Sequence, residues 1–122
     1  MKKVLVVDNE PIICRLIKRT LESETDYEVS VCTDSGEAFQ VIKTQLPDIV
    51  LVDVSMPELS GPELVQQLRT DKITRDIPCV YMTGNLVPSN PVDQDDLTTV
   101  SIAKPFSRAE LIDVIDRVLR GK

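Results

Sequence analysis

The sequence predicts an α/β sandwich in which helices cover both faces of a parallel sheet. Three short apolar runs, at residues 4–7, 49–52 and 77–82, are nearly continuous. A strand with one wet face would alternate apolar and polar residues, so these runs indicate strands that are covered on both sides. Helical patterns lie between the runs. This alternation is typical of parallel strands joined by right-handed crossovers.

Two shorter segments, residues 28–32 and 99–103, complete the predicted sheet as its second and fifth strands. Five such strands favour the order 2-1-3-4-5, whose switch point lies between the first and third strands. The predicted fold class is therefore a flavodoxin-like three-layer sandwich with a five-stranded parallel sheet. We find no repeat or linker and expect one domain over residues 1–122, with no second domain in this chain.

Helix start signals lie after the strands. Pro11 suits a first helical position, and apolar residues including Leu16 continue from it with helical spacing. Three further starts are predicted by residue pairs that are typical of capping boxes. The pairs are Asp34 with Glu37, Ser60 with Glu63, and Ser107 with Glu110. Gly121 is a suitable terminator for the last helix.

Residues 84–98 do not predict a long helix, because they contain two prolines, two asparagines and three aspartates. The sequence allows a short helix that is capped by Asn90, starts at Pro91 and ends near Leu97. We therefore expect the helix between the fourth and fifth strands to be short or irregular, and this segment to be the most mobile part of the protein.

Composition and charge exclude several classes of function. The chain has 14 Lys and Arg against 20 Asp and Glu, a formal net charge of −6, which argues against direct binding of nucleic acid. It has no His, which excludes His metal ligands and Ser-His-Asp triads. No apolar run approaches the roughly 20 residues of a membrane span, so we expect no membrane or export segment and no membrane partner.

The cysteines are three in number and far apart, at Cys14, Cys32 and Cys79. Each lies in an apolar segment. We interpret them as reduced core residues of a cytoplasmic protein, with a redox role as the alternative.

Polar residues follow four of the predicted strands, at the edge where an open α/β sheet carries its functional site. They are Asp8 and Asn9 after the first strand, Asp53 at the end of the third, Thr83 after the fourth and Lys104 after the fifth. Each alone has a simpler explanation as a helix cap, a turn residue or a solvated charge. A carboxylate directly after a buried run is nevertheless costly without a partner, and the five positions together indicate a site.

The chemistry of these side chains suits phosphoryl transfer. Asp8 and Asp53 offer hard oxygen ligands, and Mg²⁺ joins one or two carboxylates to phosphate oxygens. A carboxylate can also be a nucleophile that forms an acyl phosphate, and Asp53 is the better candidate because it is central. Lys104 would then offset charge on the transferring group, while Thr83 would hydrogen-bond one of its oxygens.

Essentially the whole chain resembles the receiver domain of two-component response regulators. The segments that carry the resemblance are VLVVDNEP at residues 4–11, PDIVLVD at 47–53 with Met56-Pro57 and Gly61 after it, IPCVYMTG at 77–84, and KPF at 104–106. Each motif alone is weak. In this order and at family-like spacing they are highly specific.

The resemblance implies that Asp53 accepts a phosphoryl group from a phosphohistidine on a sensor histidine kinase or a histidine phosphotransfer domain. A downstream protein effector would then read the modified state. The resemblance also implies Mg²⁺ as cofactor, with a set of ligands and phosphoryl-binding groups. The metal ligands would be Asp8, Asn9, Asp53 and the backbone carbonyl of Ser55, and Thr83 and Lys104 would bind the phosphoryl oxygens.

Two further properties follow from the resemblance. The Lys104–Pro105 bond is expected to be cis, which proline tolerates. The side chains of Ser55 and Asn85 are expected to set the rate at which the phosphoryl group is hydrolysed. Such a domain is not an enzyme for an external substrate, because it catalyses only its own phosphorylation and dephosphorylation.

Three features depart from the family pattern. Asn9 stands where the family usually has an acid, so we expect weaker Mg²⁺ binding than in a typical relative. Ser101 replaces the usual aromatic residue three positions before the lysine, and the usual coupling of threonine to that aromatic side chain cannot operate. The third departure is the short helix expected within residues 84–98, which would alter the switch surface.

Other functions stay open beside this one. A receiver-like interaction module that works without phosphorylation is favoured by Asn9, Ser101 and the proline-broken segment. A phosphatase with an aspartate nucleophile would need a second acid two residues after Asp53, where Ser55 stands. A flavodoxin would need a phosphate loop rich in Gly, Ser and Thr after the first strand, and none is present.

Overall fold

The fold is described from a computed structural model, which describes residues 2–83, 99–104 and 106–121. Its strands are β1 (Lys3–Val7), β2 (Glu28–Cys32), β3 (Ile49–Asp53), β4 (Cys79–Thr83) and β5 (Thr99–Ala103). Its helices are α1 (Pro11–Glu24), α2 (Ala38–Gln45), α3 (Gly61–Arg69) and α4 (Arg108–Arg120). The strands form one parallel sheet in the order β2-β1-β3-β4-β5, which confirms the predicted fold class and topology.

The sheet has an apolar core on each face. Alternate residues of β1 point to opposite sides, so Leu5 and Val7 pack with α2 and α3 whereas Val4 and Val6 pack with α1 and α4. All five residues of β3 are buried. This double burial explains why the central strands are continuous apolar runs in the sequence.

Helix α1 begins at Pro11 as predicted, and Cys14, Ile17 and Leu21 form its buried face. Leu16 helped to predict this helix, but 54% of its surface is exposed. It is two residues from Cys14, and positions two apart on a helix do not face the same side. The apolar pattern therefore extends beyond the stripe that packs on the sheet.

Two of the three predicted capping boxes are confirmed. In both, the serine side chain, Ser60 or Ser107, accepts the backbone N–H of a glutamate three residues later, and the carboxylate of that glutamate accepts the backbone N–H of the serine. The box predicted at Asp34 is wrong, because α2 begins only at Ala38. The Asp34 carboxylate instead accepts the Gly36 N–H at 2.9 Å, in a local turn that competes with helix formation.

The strand ends differ slightly from the sequence predictions. β4 begins at Cys79 rather than at residue 77, because Pro78 has no N–H to donate, although its carbonyl accepts the Val50 N–H at 3.0 Å. β3 ends at Asp53, as predicted. β4 extends through Thr83, which the sequence placed directly after that strand.

Several expectations lie outside the described residues: the short helix within residues 84–98, the role of Asn85 and the cis bond before Pro105. The three cysteines are free and buried, as predicted. Within the part of the chain that the structure describes, every helix is too short or too polar to cross a membrane.

Candidate functional site

The carboxyl ends of the parallel strands gather the candidate residues at one edge of the sheet. β1 and β3 are direct neighbours, with Val7 paired to Val52. Asp8 and Asp53 come one residue after these partners. Lys104 follows β5, and its backbone N–H donates to the Thr83 carbonyl at 2.7 Å.

One ammonium group lies between two buried carboxylates. The Nζ atom of Lys104 is 3.2 Å from Oδ2 of Asp8 and 3.5 Å from Oδ1 of Asp53. Asp8 is fully buried and Asp53 is 7% exposed. Burying a charge is costly without a partner, so this ion pair is what allows both acids to sit at the sheet edge. Two negative charges nevertheless face one positive charge.

Asp8 is held through each of its polar groups. Its N–H donates to the Cys32 carbonyl at 3.1 Å, and its own carbonyl accepts the Cys14 thiol at 3.3 Å. In the side chain, Oδ1 accepts the Glu10 N–H at 3.0 Å while Oδ2 faces Lys104. The carboxylate therefore has little freedom to move.

Asp53 is poorly stabilised as an anion. Burial and then the negative charge of Asp8 raise the pKa of Asp53 above its ordinary value. Lys104 and the backbone N–H of Ser55 act in the opposite direction but only in part. A further cation beside this carboxylate would relieve the remaining repulsion.

Lys104 is held as a cation by the same two acids. Its burial works to lower the pKa of the ammonium, but Asp8 and Asp53 raise it by more, and the net shift is upward. A lysine with a raised pKa keeps its proton at neutral pH and can donate to anionic oxygens.

The other predicted residues lie at the same edge of the sheet. Thr83 ends β4, one position beyond Met82, which is the register partner of Asp53. Asn9 is exposed and lines a cavity of about 300 Å³ together with residues of the loops after β2 and β3. Ser55 contacts Asp53 through its backbone N–H.

The donor set fits a hard cation with few protein ligands. Among the described residues, no three or more Asp, Glu, His or Cys side chains are arranged to hold a metal ion. The edge instead offers two carboxylates, and Asn9 adds an amide oxygen close by in the chain. Mg²⁺ keeps several waters and takes one or two carboxylates, which matches this set.

Gly61 and Cys14 contribute to the site in ways that the sequence analysis did not assign. A Cβ atom on Gly61 would lie 2.5 Å from the Asp53 carbonyl oxygen, so glycine lets the start of α3 rest directly on the end of β3. The sequence signal for this close approach of α3 to β3 is the glycine directly after the capping Ser60. The bond from the Cys14 thiol to Asp8 has no comparable sequence signal.

Comparison with known proteins gives a consistent result. The family model for the response regulator receiver domain matches residues 4–116. The phosphate regulon transcriptional regulatory protein PhoB of Pseudomonas aeruginosa is 36% identical over 98% of this chain and 52% of its own length. The alkaline phosphatase synthesis transcriptional regulatory protein PhoP of Bacillus subtilis is 34% identical over 98% of this chain and 49% of its own length. The chain thus spans about half the length of these curated relatives.

Solved structures share the whole fold. Chemotaxis protein CheY4 of Vibrio cholerae is 28% identical and superposes with a TM-score of 0.87, covering 97% of this chain and 98% of that one. The receiver domain of sensor histidine kinase PA1611 from Pseudomonas aeruginosa is 26% identical with a TM-score of 0.83 over 97% of each chain, and was crystallised with magnesium in its active site cleft. Sheet order, sequence match and structural likeness agree, and the chain belongs to the receiver domain family of two-component response regulators.

Proposed function

We propose that this chain is a phosphoacceptor switch, in which Asp53 receives a phosphoryl group from a phosphohistidine on a sensor histidine kinase or a histidine phosphotransfer domain. The observation that carries the proposal is the Lys104 ammonium placed between the buried carboxylates of Asp8 and Asp53. A role as helix cap, turn residue or solvated charge does not explain why two buried acids and one lysine lie together at the carboxyl edge of a parallel sheet.

The transfer follows from the chemistry of these groups. An oxygen of Asp53 attacks the phosphorus, and the bond from phosphorus to the partner's imidazole nitrogen breaks, with its electron pair left on that nitrogen. Asp53 then carries an acyl phosphate. The Lys104 ammonium and the Thr83 hydroxyl bind the phosphoryl oxygens as their charge develops.

Four groups are proposed to hold Mg²⁺: the carboxylates of Asp8 and Asp53, the amide oxygen of Asn9 and the backbone carbonyl of Ser55. A bound Mg²⁺ supplies positive charge against the phosphoryl oxygens. Asp8 suits this role because the Glu10 N–H and the Lys104 ammonium fix its carboxylate before any ligand arrives. Asp53 suits it because the pKa of its carboxyl is raised by burial and by Asp8, which a cation would counteract.

The proposed output is a signal and not turnover of a substrate. A receiver domain is a signalling module, and this one is proposed to span residues 1–122 in the cytoplasm and to pass its state to a downstream protein effector. The relatives PhoB and PhoP are named as transcriptional regulatory proteins, and each is about twice the length of this chain. We propose that this acidic chain, with a net charge of −6, makes no direct contact with nucleic acid.

Phosphorylation from a small donor tests the proposal. Incubation with acetyl phosphate and Mg²⁺ is expected to add the mass of one phosphoryl group to the intact protein. Asp53→Asn should abolish the adduct, whereas Asp26→Asn, at an exposed position in the loop between α1 and β2, should leave it unchanged. An adduct that survives Asp53→Asn, or none in the wild type, would overturn the proposal.

An interaction module that works without phosphorylation is the second candidate. It is favoured by exposed Ser101 on β5, where relatives usually carry an aromatic residue, and by Asn9 in place of an acid. Binding of a partner that is unchanged by Asp53→Ala and by acetyl phosphate would favour this candidate over the switch.

A further inference from the structure

We propose that Cys14 is a positioning residue for Asp8 and Asn9, and the inference rests on the proposed function because it concerns two of the proposed metal ligands. The Cys14 thiol donates to the Asp8 carbonyl with a sulfur–oxygen distance of 3.3 Å. Cys14 is 1% exposed and Asp8 is fully buried, so water does not compete for this bond.

The carbonyl that Cys14 binds belongs to the peptide unit between Asp8 and Asn9. The plane of this unit sets the direction in which both side chains leave the backbone. A thiol on the buried face of α1 thereby ties the helix to the end of β1 at the point where the site begins. Cys14 touches no reacting atom and acts through Asp8.

Losing the donor has a defined physical consequence. A buried carbonyl without a hydrogen-bond partner is unfavourable, so the peptide unit should turn or admit water. The Glu10 N–H bond to Oδ1 of Asp8 and the Lys104 contact to Oδ2 both depend on the present orientation. Turning the peptide unit would loosen both.

The chain provides a matched control in Cys79. This cysteine is also fully buried, and its thiol bonds to the Ile77 carbonyl at 3.6 Å. It lies at the first residue of β4, at the opposite end of the strand from Thr83. Removing its thiol costs buried packing without touching the site.

The experiment compares Cys14→Ala, Cys14→Val, Cys14→Ser and Cys79→Ala by NMR. The first readout is amide hydrogen exchange at Asp8 and Glu10 in the metal-free protein. The second is the affinity for Mg²⁺ alone, from a titration. Valine fills the volume without a donor and serine restores a donor, so packing and hydrogen bonding separate. Urea unfolding measures the stability of each variant, so that a general loss of stability can be separated from a local effect at the site.

We expect Cys14→Ala and Cys14→Val to accelerate exchange at Asp8 and Glu10 and to weaken Mg²⁺ binding by about two- to tenfold, the range of one hydrogen bond. Cys14→Ser should restore most of both, and Cys79→Ala should change neither.

Wild-type values in Cys14→Ala and Cys14→Val, equal effects of Cys79→Ala, or no recovery in Cys14→Ser would overturn the inference. Failure of the proposed function is distinguishable, because a wild type that binds no Mg²⁺ still gives the exchange readout at Asp8 and Glu10.

Discussion

Asp53 is a residue that weakens the fold it belongs to. Burial and Asp8 raise the pKa of its carboxyl above the ordinary value of 3.8, so the folded chain holds this proton more tightly than the unfolded chain does. The contribution of Asp53 to stability is therefore greatest at low pH and is lost as pH rises through its raised pKa. At neutral pH the ionised Asp53 side chain destabilises the fold. A bound cation or a modification of the carboxylate would remove this destabilisation.

Asp53→Asn is accordingly expected to stabilise the metal-free protein at pH 7, because the amide keeps the shape of the side chain and removes the repulsion by Asp8. Urea unfolding should show a higher midpoint for the variant at pH 7. The gain should shrink as the pH falls towards 4. Asp26→Asn, which removes the same charge from an exposed position, should show no such pattern, and an equal gain there would contradict the explanation.

Asn9→Asp is expected to strengthen Mg²⁺ binding by about tenfold, equivalent to about 1.4 kcal/mol, because it adds a carboxylate beside the other two. A Mg²⁺ titration of the metal-free protein measures this. Asn9→Ala is the control, since it removes the amide oxygen without adding charge and should bind no better than the wild type. No gain for Asn9→Asp would show that position 9 does not face the metal.

Residue types in sequence were sufficient to predict which side chains meet. Asp8, Asp53 and Lys104 could be predicted as neighbours because each lies at or just after the end of a strand at the same edge. The structure places both carboxylates within 3.5 Å of the Lys104 ammonium. The Cys14 bond to Asp8 could not be predicted. It depends on the angle at which α1 leaves β1, and no spacing of residue types encodes that angle.

At the scale of elements, the close packing of the start of α3 against the end of β3 depends on glycine at position 61, since Gly61 has no side chain. Its N–H donates to the Val54 carbonyl at 2.9 Å, and an added Cβ would meet the Asp53 carbonyl oxygen at 2.5 Å. The backbone of the proposed phosphoacceptor is thus in contact with the first residue of a helix.

Gly61→Ala is expected to destabilise the protein by about 2 kcal/mol, because α3 or the end of β3 must shift. It should also slow phosphorylation by acetyl phosphate, since Asp53 moves with its backbone. Gly121→Ala is the matched control, because the nearest atom to an added Cβ there is 3.4 Å away. Urea unfolding and the rate of adduct formation check both variants, and similar effects at the two glycines would refute this explanation.

Leu46, the residue directly after α2, has a strained backbone conformation. Leu46 has a φ of 51°, a left-handed conformation that costs a residue with a Cβ about 1–2 kcal/mol. Its side chain is 48% exposed, so little packing offsets that cost. We expect Leu46→Gly to stabilise the fold by about 1 kcal/mol in urea unfolding. Gln45→Gly, inside the helix, should instead destabilise it, and a loss of stability for Leu46→Gly would contradict the argument.

The sequence predicted the existence of elements better than their ends. The capping boxes at Ser60 and Ser107 could be predicted from the sequence because a serine side chain there has one favourable backbone partner. Asp34 has two, and the structure uses the local turn to Gly36, which delays α2 to Ala38. Competing hydrogen bonds of similar energy cannot be ranked from the residue types alone.

At the scale of the whole molecule, the parallel sheet brings residues that are distant in the sequence together in one site. β1, β3 and β4 lie side by side in the sheet, so residues as far apart as Asp8, Asp53 and Thr83 reach one edge. This arrangement was predictable because strands buried on both faces leave continuous apolar runs.

A crystal structure of this chain with Mg²⁺ and beryllofluoride, a mimic of the phosphoryl group, tests the central claim most directly. We predict beryllium bonded to a carboxylate oxygen of Asp53, Mg²⁺ bound by Asp8, and the Lys104 ammonium moved from Asp8 to a fluoride. Beryllofluoride absent from Asp53, or Lys104 still paired with Asp8 while the mimic is bound elsewhere, would contradict the account.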